Sequence, residues 1–163
     1  MLLLISDANI LIDLEAGELL DLLFQLPMMF AMPDVLYWEE IEPGTPGLVE
    51  RGLRIMELTG EYVQFAAGLP AKHGNVPSRN DYLALALAKQ EACPLLTGDR
   101  ALQIAARAEE VQVMGTVWLL RCLIENCLVS VDEALGALGR MRERGRRLPW
   151  MEAERILNEL RRS

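Results

Sequence analysis

The sequence predicts an α/β fold in three layers, with helices on both sides of a short parallel sheet of about four to five strands and a helical hairpin added at the C-terminal end. Three observations carry this prediction. Short apolar runs alternate with segments of helical periodicity, the pattern of strand–helix units that wind a parallel sheet. The runs are apolar at nearly every position, as expected of strands covered on both faces. From residue 130 the alternation stops, and two helical segments follow each other, the first opening on the S-x-x-E box of Ser130 and Glu133.

The elements follow in order. LLLIS (2–6) reads as the first strand, and Ile10, Leu11, Leu14, Leu19, Leu20, Leu22 and Leu23 then recur at helical spacings. MMFAM (28–32) is the second strand, and Pro33-Asp34 opens a short helix over VLYWEEI. Pro43, Gly44, Pro46 and Gly47 make a loop, LVERGLRIMEL (48–58) is amphipathic, and EYVQFA (61–66) alternates weakly. A Gly/Pro-punctuated loop is expected over 68–77. Ser78 and Asp81 form an S-x-x-D start signal for the alanine-rich helix after it. PLLTG is then a strand, 100–109 a helix, VQVMG a strand and TVWLLRCLIEN a helix. The closing segment, LPWMEAERILNELRRS, carries Trp150, Ile156, Leu157 and Leu160 on one helical stripe.

Composition narrows the function classes. At 163 residues the chain is the size of one domain with a small appendage, and 52% hydrophobic residues suffice for a real core. No apolar run approaches the roughly 18 residues of a membrane span, and the N-terminus lacks the basic flank and cleavage site of a signal peptide. Cys93, Cys122 and Cys127 are odd in number and without CxxC spacing, which fits a reducing cytoplasm rather than a disulfide framework or a zinc site. His73 is the one histidine, expected on a solvated loop, so triad chemistry has little to work with. A net charge of −8 argues against a general nucleic-acid-binding surface.

The informative residues are acids at the expected strand ends, where open α/β sheets bind ligands. Asp7 follows the first strand, Glu39 and Glu40 stand one short helix beyond the second, and Asp99 follows PLLTG. Asp81 lies in the first turn of the helix that leads into that strand. Each taken alone reads as a helix cap or a first-turn acid, worth about 0.3–1 kcal/mol from the helix dipole. Together they form a cluster of negative charge, unfavourable unless a cation neutralises it or the pKa values rise. Oxygen ligands without Cys or His suit Mg²⁺ or Mn²⁺, and the chemistry such an ion serves is phosphodiester hydrolysis by activated water. The phosphate-binding motifs G-x-x-x-x-G-K-[ST] and G-x-G-x-x-G are absent. Asp7-Ala8-Asn9 matches the D-x-D of dehalogenase-type phosphatases only at its first acid.

LLLISDANILIDL, MPDVLYWEEI and NDYLALALAKQEACPLLTGDRALQIAARAEEVQVMGTVWLL, in this order, resemble the PIN domain, in particular the VapC-like ribonuclease toxins of type II toxin–antitoxin pairs. The resemblance runs from about residue 2 to 128, and it implies a PIN-like nuclease domain over 1–128 with a helical extension over 129–163 packed on or beside it. It implies an Mg²⁺- or Mn²⁺-dependent endoribonuclease whose metal-binding and catalytic acids fall on Asp7, Glu40, Asp81 and Asp99. Glu40 is preferred over Glu39 because the family's glutamate precedes an apolar residue, here Ile41. Asn9 and Thr97 match polar positions that orient ligands or substrate. An RNA substrate, a cognate antitoxin protein and a homodimer are implied as partners, with Trp38, Trp118 and Trp150 as candidate interface residues.

Two features depart from the resemblance. The chain is acidic, so cations must be local: Arg79 beside Asp81, Arg100 beside Asp99, and Arg140, Arg142, Arg144, Arg146 and Arg147 in the tail, where a solvated helix face is the default expectation. The extension lies beyond the shared blocks. The rival reading is a non-catalytic protein-interaction module of the same fold, whose acids serve only as helix caps.

Overall fold

The computed structural model describes residues 1–161. Five strands, β1 (Leu2–Ser6), β2 (Met28–Pro33), β3 (Arg54–Met56), β4 (Leu95–Leu96) and β5 (Val113–Met114), form one parallel sheet in the order β3-β2-β1-β4-β5. Leu4, Ile5, Phe30, Ala31, Met32, Leu95 and Leu96 are all buried, as expected of strands covered on both faces.

One layer centres on α6 (Arg79–Glu91), which lies across β1, β2 and β4 with α5 (Gly60–His73) and α7 (Arg100–Ala108) beside it. The alanine-rich segment now has its reason. Ala84, Leu85, Ala86, Leu87 and Ala88 are buried all round, because α6 is sandwiched between the sheet and α5, and small side chains admit both neighbours. The other layer contains α1 (Ala8–Ala16) and α8 (Thr116–Glu125), with the hairpin α9 (Val131–Glu143) and α10 (Trp150–Leu160) stacked on them. Short helices α2 (Leu20–Leu23), α3 (Asp34–Leu36) and α4 (Leu48–Arg51) complete the chain, and α3 runs into a single π turn over Tyr37–Ile41.

Three local expectations are corrected. The weakly alternating 61–66 lies inside α5. Tyr62, Phe65, Ala66 and Leu69 recur at three- and four-residue steps, and the last two are buried. The expected loop over 68–77 begins only at Gly74, whose N–H donates to the Pro70 carbonyl at 2.8 Å and whose φ of 89° suits glycine. The amphipathic 48–58 divides at Gly52 (φ 125°) into α4 and β3, a strand of three residues and so too short to show a period.

Two arginines of the hairpin's cationic run are spent on α1. Arg140 donates twice to the Gly17 carbonyl, at 2.9 and 3.1 Å, and Arg144 donates to the Ala16 carbonyl at 2.6 Å. Both therefore meet the orphan carbonyls and the negative dipole end of α1. Arg142 stacks on Trp150. At the same crossing Gly17 sits against α9, where an added Cβ would lie 2.7 Å from Met141 Cε and 3.3 Å from Ala137 Cβ. Gly17→Ala is therefore expected to destabilise the chain by about 1–2 kcal/mol through overpacking. Urea denaturation should show a lower midpoint with an unchanged slope.

Candidate active site

The chain steps from β1 to β2 to β3 on one side of the sheet and then crosses to β4 and β5 on the other. The strand order therefore reverses between β1 and β4, and at such a switch point a crevice opens beyond the carboxyl ends of the strands. Two backbone bonds extend the ladder into this opening. The Asp7 N–H donates to the Leu96 carbonyl at 3.0 Å, and the Thr97 N–H donates to the Met114 carbonyl at 3.0 Å.

Asp7 is fully buried at the centre of this edge. Its Oδ1 caps α1 by accepting the Ile10 N–H at 3.0 Å, and among the described residues its Oδ2 has no hydrogen-bond partner. Burial pushes its carboxyl up from the ordinary 3.8 to about 7, and the negative charges of Asp81 and Asp13 add to the shift. The Thr97 hydroxyl softens the shift, without completing a hydrogen bond to Oδ2. An unpartnered, desolvated carboxylate oxygen is costly, and a cation is the usual compensation.

Asp99 and Asp81 repeat the arrangement at the starts of α7 and α6. Asp99 Oδ1 accepts the Leu102 N–H at 2.8 Å, while its own N–H is held by Thr97 Oγ1 at 3.1 Å. Asp81 closes a reciprocal capping box with Ser78, its Oδ2 accepting the Ser78 N–H at 2.9 Å. Capping thus uses one oxygen of each aspartate. Among the described residues the second oxygen of Asp7, Asp81 and Asp99 makes no hydrogen bond. Cap and ligand are not exclusive roles for the same carboxyl group.

The π turn presents the two glutamates differently. Glu39 accepts from Arg79 at 2.8 and 2.9 Å and is neutralised by it, while Glu40, among the described residues, accepts only the Asn80 amide, at 2.7 Å. Both are exposed. Asn9 is exposed too, and its Oδ1 accepts from Arg146 at 3.2 Å. Thr97 is fully buried between Asp7 and Asp99.

Asp13 and Arg146 join this edge although sequence reasoning missed them as a pair. Asp13, nearly buried, accepts from Arg146 Nε at 2.6 Å and from the Thr116 hydroxyl at 2.8 Å. Asp13 carries a faint local signal, an acid among the buried Ile10, Leu11, Leu14 and Ala16 of α1. Arg146 stood out only as one of the tail cations, with nothing local to tie it to Asp13. His73 is also corrected: it ends α5 half-buried and pairs with Glu109 at 2.8 Å. Burial pushes the Cys93 and Cys122 thiols up to about 11, so neither offers a thiolate at neutral pH.

Among the described residues no three His, Cys, Asp or Glu side chains form a group able to hold a metal ion. That does not exclude a hard cation, because Mg²⁺ usually binds through one or two carboxylates and keeps several waters. The orphaned Asp7 oxygen, the spare oxygens of Asp81 and Asp99, and an all-oxygen donor set fit such an ion.

A family profile described as DUF3368, PIN domain, matches residues 3–162. The chain belongs to the PIN domain family. PIN domains are generally nucleases and generally use divalent metals. The match runs through α9 and α10. The PIN fold recurs in a PilT N-terminus domain protein, SSO1118, of the hyperthermophilic archaeon Sulfolobus solfataricus P2, with a TM-score of 0.52 and 15% identity. That likeness covers 74% of this chain and 92% of the archaeal one. PAE2754 of Pyrobaculum aerophilum is similar with a TM-score of 0.50 and 15% identity, over 74% of this chain and 96% of its own. No curated protein matches the sequence.

Proposed function

We propose that this PIN domain is an Mg²⁺- or Mn²⁺-dependent endoribonuclease, the toxin of a type II toxin–antitoxin pair, with Asp7, Glu40, Asp81 and Asp99 as its metal-binding and catalytic acids. The observation that carries the reading is the buried Asp7 oxygen without a partner, at the topological switch point and beside two aspartates that each keep one oxygen free. Glu40 is the better candidate of its pair, since Glu39 already faces Arg79. A cognate antitoxin and a homodimer are the partners, and the α3–π segment, where Trp38 is 57% exposed, is a candidate contact. The cytoplasm is the expected compartment. Among the described residues no helix is long and apolar enough to cross a membrane.

Asp7, Glu40, Asp81 and Asp99 would hold the divalent cation, which would supply Lewis acidity: a more nucleophilic water and neutralised charge on the phosphate. The chain's own groups do the positioning. The N-termini of α1 and α7 direct their positive dipole ends to the same edge, which favours negative charge there. Thr97 fixes the turn that carries Asp99 through its backbone N–H, and Asn9 offers an exposed amide next to Asp7. Water attacks phosphorus in line, the P–O3′ bond breaks, and the products are a 5′-phosphate and a 3′-hydroxyl.

The second reading, a non-catalytic module, draws on the same capping bonds, which Asp7 and Asp99 would need in any case. Asp99→Asn separates the two, because asparagine caps as well as aspartate. Assayed on structured RNAs in Mg²⁺ or Mn²⁺, Asp99→Asn should retain the fold and lose about 100-fold or more in rate, beyond what loss of an outer-shell partner costs. EDTA should abolish cleavage by the parent. Full activity of Asp99→Asn would remove Asp99 from the site.

A further inference from the structure

Beside the acidic edge runs a groove between α7, the start of α8 and the α9–α10 loop. It holds about 610 Å³ and is continuous with the Asp7–Asp99 edge, since Asp13, Gly98 and Arg147 line both the groove and the smaller cleft around Asn9 and Asp99. Its charge is opposite to that of the chain as a whole. Arg100, Arg107 and Arg147 line it, all three exposed, and among the described residues no carboxylate or carbonyl pairs with any of their guanidinium groups. Of the two acids in the lining, Asp13 is already engaged by Arg146, which leaves Glu152 alone.

The arginines are placed by helical geometry rather than by chance of the surface. Arg100, Gln103, Ile104 and Arg107 follow at i, i+3, i+4 and i+7 along α7, one stripe of the helix, while Leu102, Ala105 and Ala106 occupy the core face. Two turns separate the end cations by about 10 Å along the axis. Across from them the hairpin loop supplies Arg147, and α8 supplies the half-buried Trp118. Unpaired cations spaced along a trough, with an aromatic in its wall, are what a single-stranded polynucleotide needs: charge for successive phosphates and a face for a base.

We infer that this groove is the binding track for the single-stranded RNA that flanks the scissile phosphate, with Arg100, Arg107 and Arg147 holding its backbone. The inference rests on the endoribonuclease reading for the identity of the strand, but binding does not require the chemistry. It also answers the acidity of the chain: the net charge of −8 is carried elsewhere, while the face beside the acids is locally positive.

The test is fluorescence anisotropy with a labelled single-stranded RNA oligonucleotide in EDTA, where no metal-dependent cleavage occurs, over a range of salt. The parent is compared with Arg100→Gln/Arg107→Gln/Arg147→Gln, with Arg147→Gln alone in case the triple variant folds poorly, and with Arg51→Gln/Arg121→Gln/Arg155→Gln as a charge-matched control outside the groove lining. The triple variant should bind about tenfold or more weakly at low salt. Its slope of log K against log salt should be shallower by about 2, since each phosphate that an arginine neutralises adds about 0.7 to the slope. Arg147→Gln should show about a third of that change in slope, and the control should match the parent. RNA binding by the parent that is absent, unaltered in the triple variant, or matched by a poly-glutamate peptide would overturn the groove assignment. Asp7→Asn should bind RNA as the parent does. Loss of cleavage with retained binding would thus speak only to the acids, and loss of binding in the triple variant only to the groove.

Discussion

Replacing Asp7 by asparagine is expected to abolish RNA hydrolysis while making the metal-free protein more stable. The loss should exceed about 100-fold, the upper end of what removing an outer-shell partner costs. The gain follows from the buried carboxyl, raised from 3.8 to about 7. Below about pH 4 both folded and unfolded chains hold this proton and Asp7 costs nothing. As pH rises towards 7 the unfolded chain ionises first, so folding is progressively penalised, and above 7 the penalty is complete at about 4 kcal/mol. Asparagine carries no charge to desolvate and keeps the cap on Ile10. It buries an amide with imperfect partners at about 1–3 kcal/mol, so a net gain of about 1–3 kcal/mol is expected above neutrality. Urea denaturation of both proteins in EDTA should show the advantage of Asp7→Asn larger at about pH 8 than at about pH 5 by about 2–3 kcal/mol. A stability difference independent of pH would mean that Asp7 is not a strained, desolvated acid. Saturating Mn²⁺ should stabilise the parent and leave Asp7→Asn unmoved.

The second large effect is expected from Arg146→Ala. Asp13 is nearly buried, and among the described residues it is paired with one cation, Arg146, and one hydroxyl, Thr116. Removing the guanidinium leaves a carboxylate in an apolar helix layer with the hydroxyl alone. For a fully buried pair that costs about 3–5 kcal/mol, and since the Arg146 side chain is 25% exposed about 2–3 kcal/mol is expected. Asp13→Asn/Arg146→Ala should recover most of the loss. Chemical denaturation checks both variants, and limited proteolysis should cut the α9–α10 loop faster in Arg146→Ala. A cost of about 0.5 kcal/mol or less would class the pair with ordinary surface ion pairs.

What could be read from the sequence was what the chain encodes within a few residues. Asp7 follows an apolar run directly, and Asp99 follows a Thr-Gly turn after another, so a parallel sheet brings both to one edge. Ser78 with Asp81 and Ser130 with Glu133 announced their helices, and both close as reciprocal capping boxes. The misses share a different character. β3 has three residues, below the length at which a period can be seen. The helix over 60–73 carries Gly68 and Pro70, which read locally as loop, but burial of Ala66 and Leu69 against α6 outweighs them. Asp13 and Arg146 are 133 positions apart, and His73 and Glu109 are 36 apart. No periodicity links such residues; only the packing of α9 on α1 and of α5 near α7 brings them together. The cationic groove belongs to the same class, since its third arginine arrives from the hairpin.

The most direct test of the central claim, that this edge binds a hard divalent cation for hydrolysis, is calorimetric titration of Mn²⁺ into the metal-free protein and into Asp7→Asn. Saturable uptake by the parent that is lost in Asp7→Asn is the expected result. No uptake by the parent at millimolar Mn²⁺, or uptake undiminished in Asp7→Asn, would contradict it.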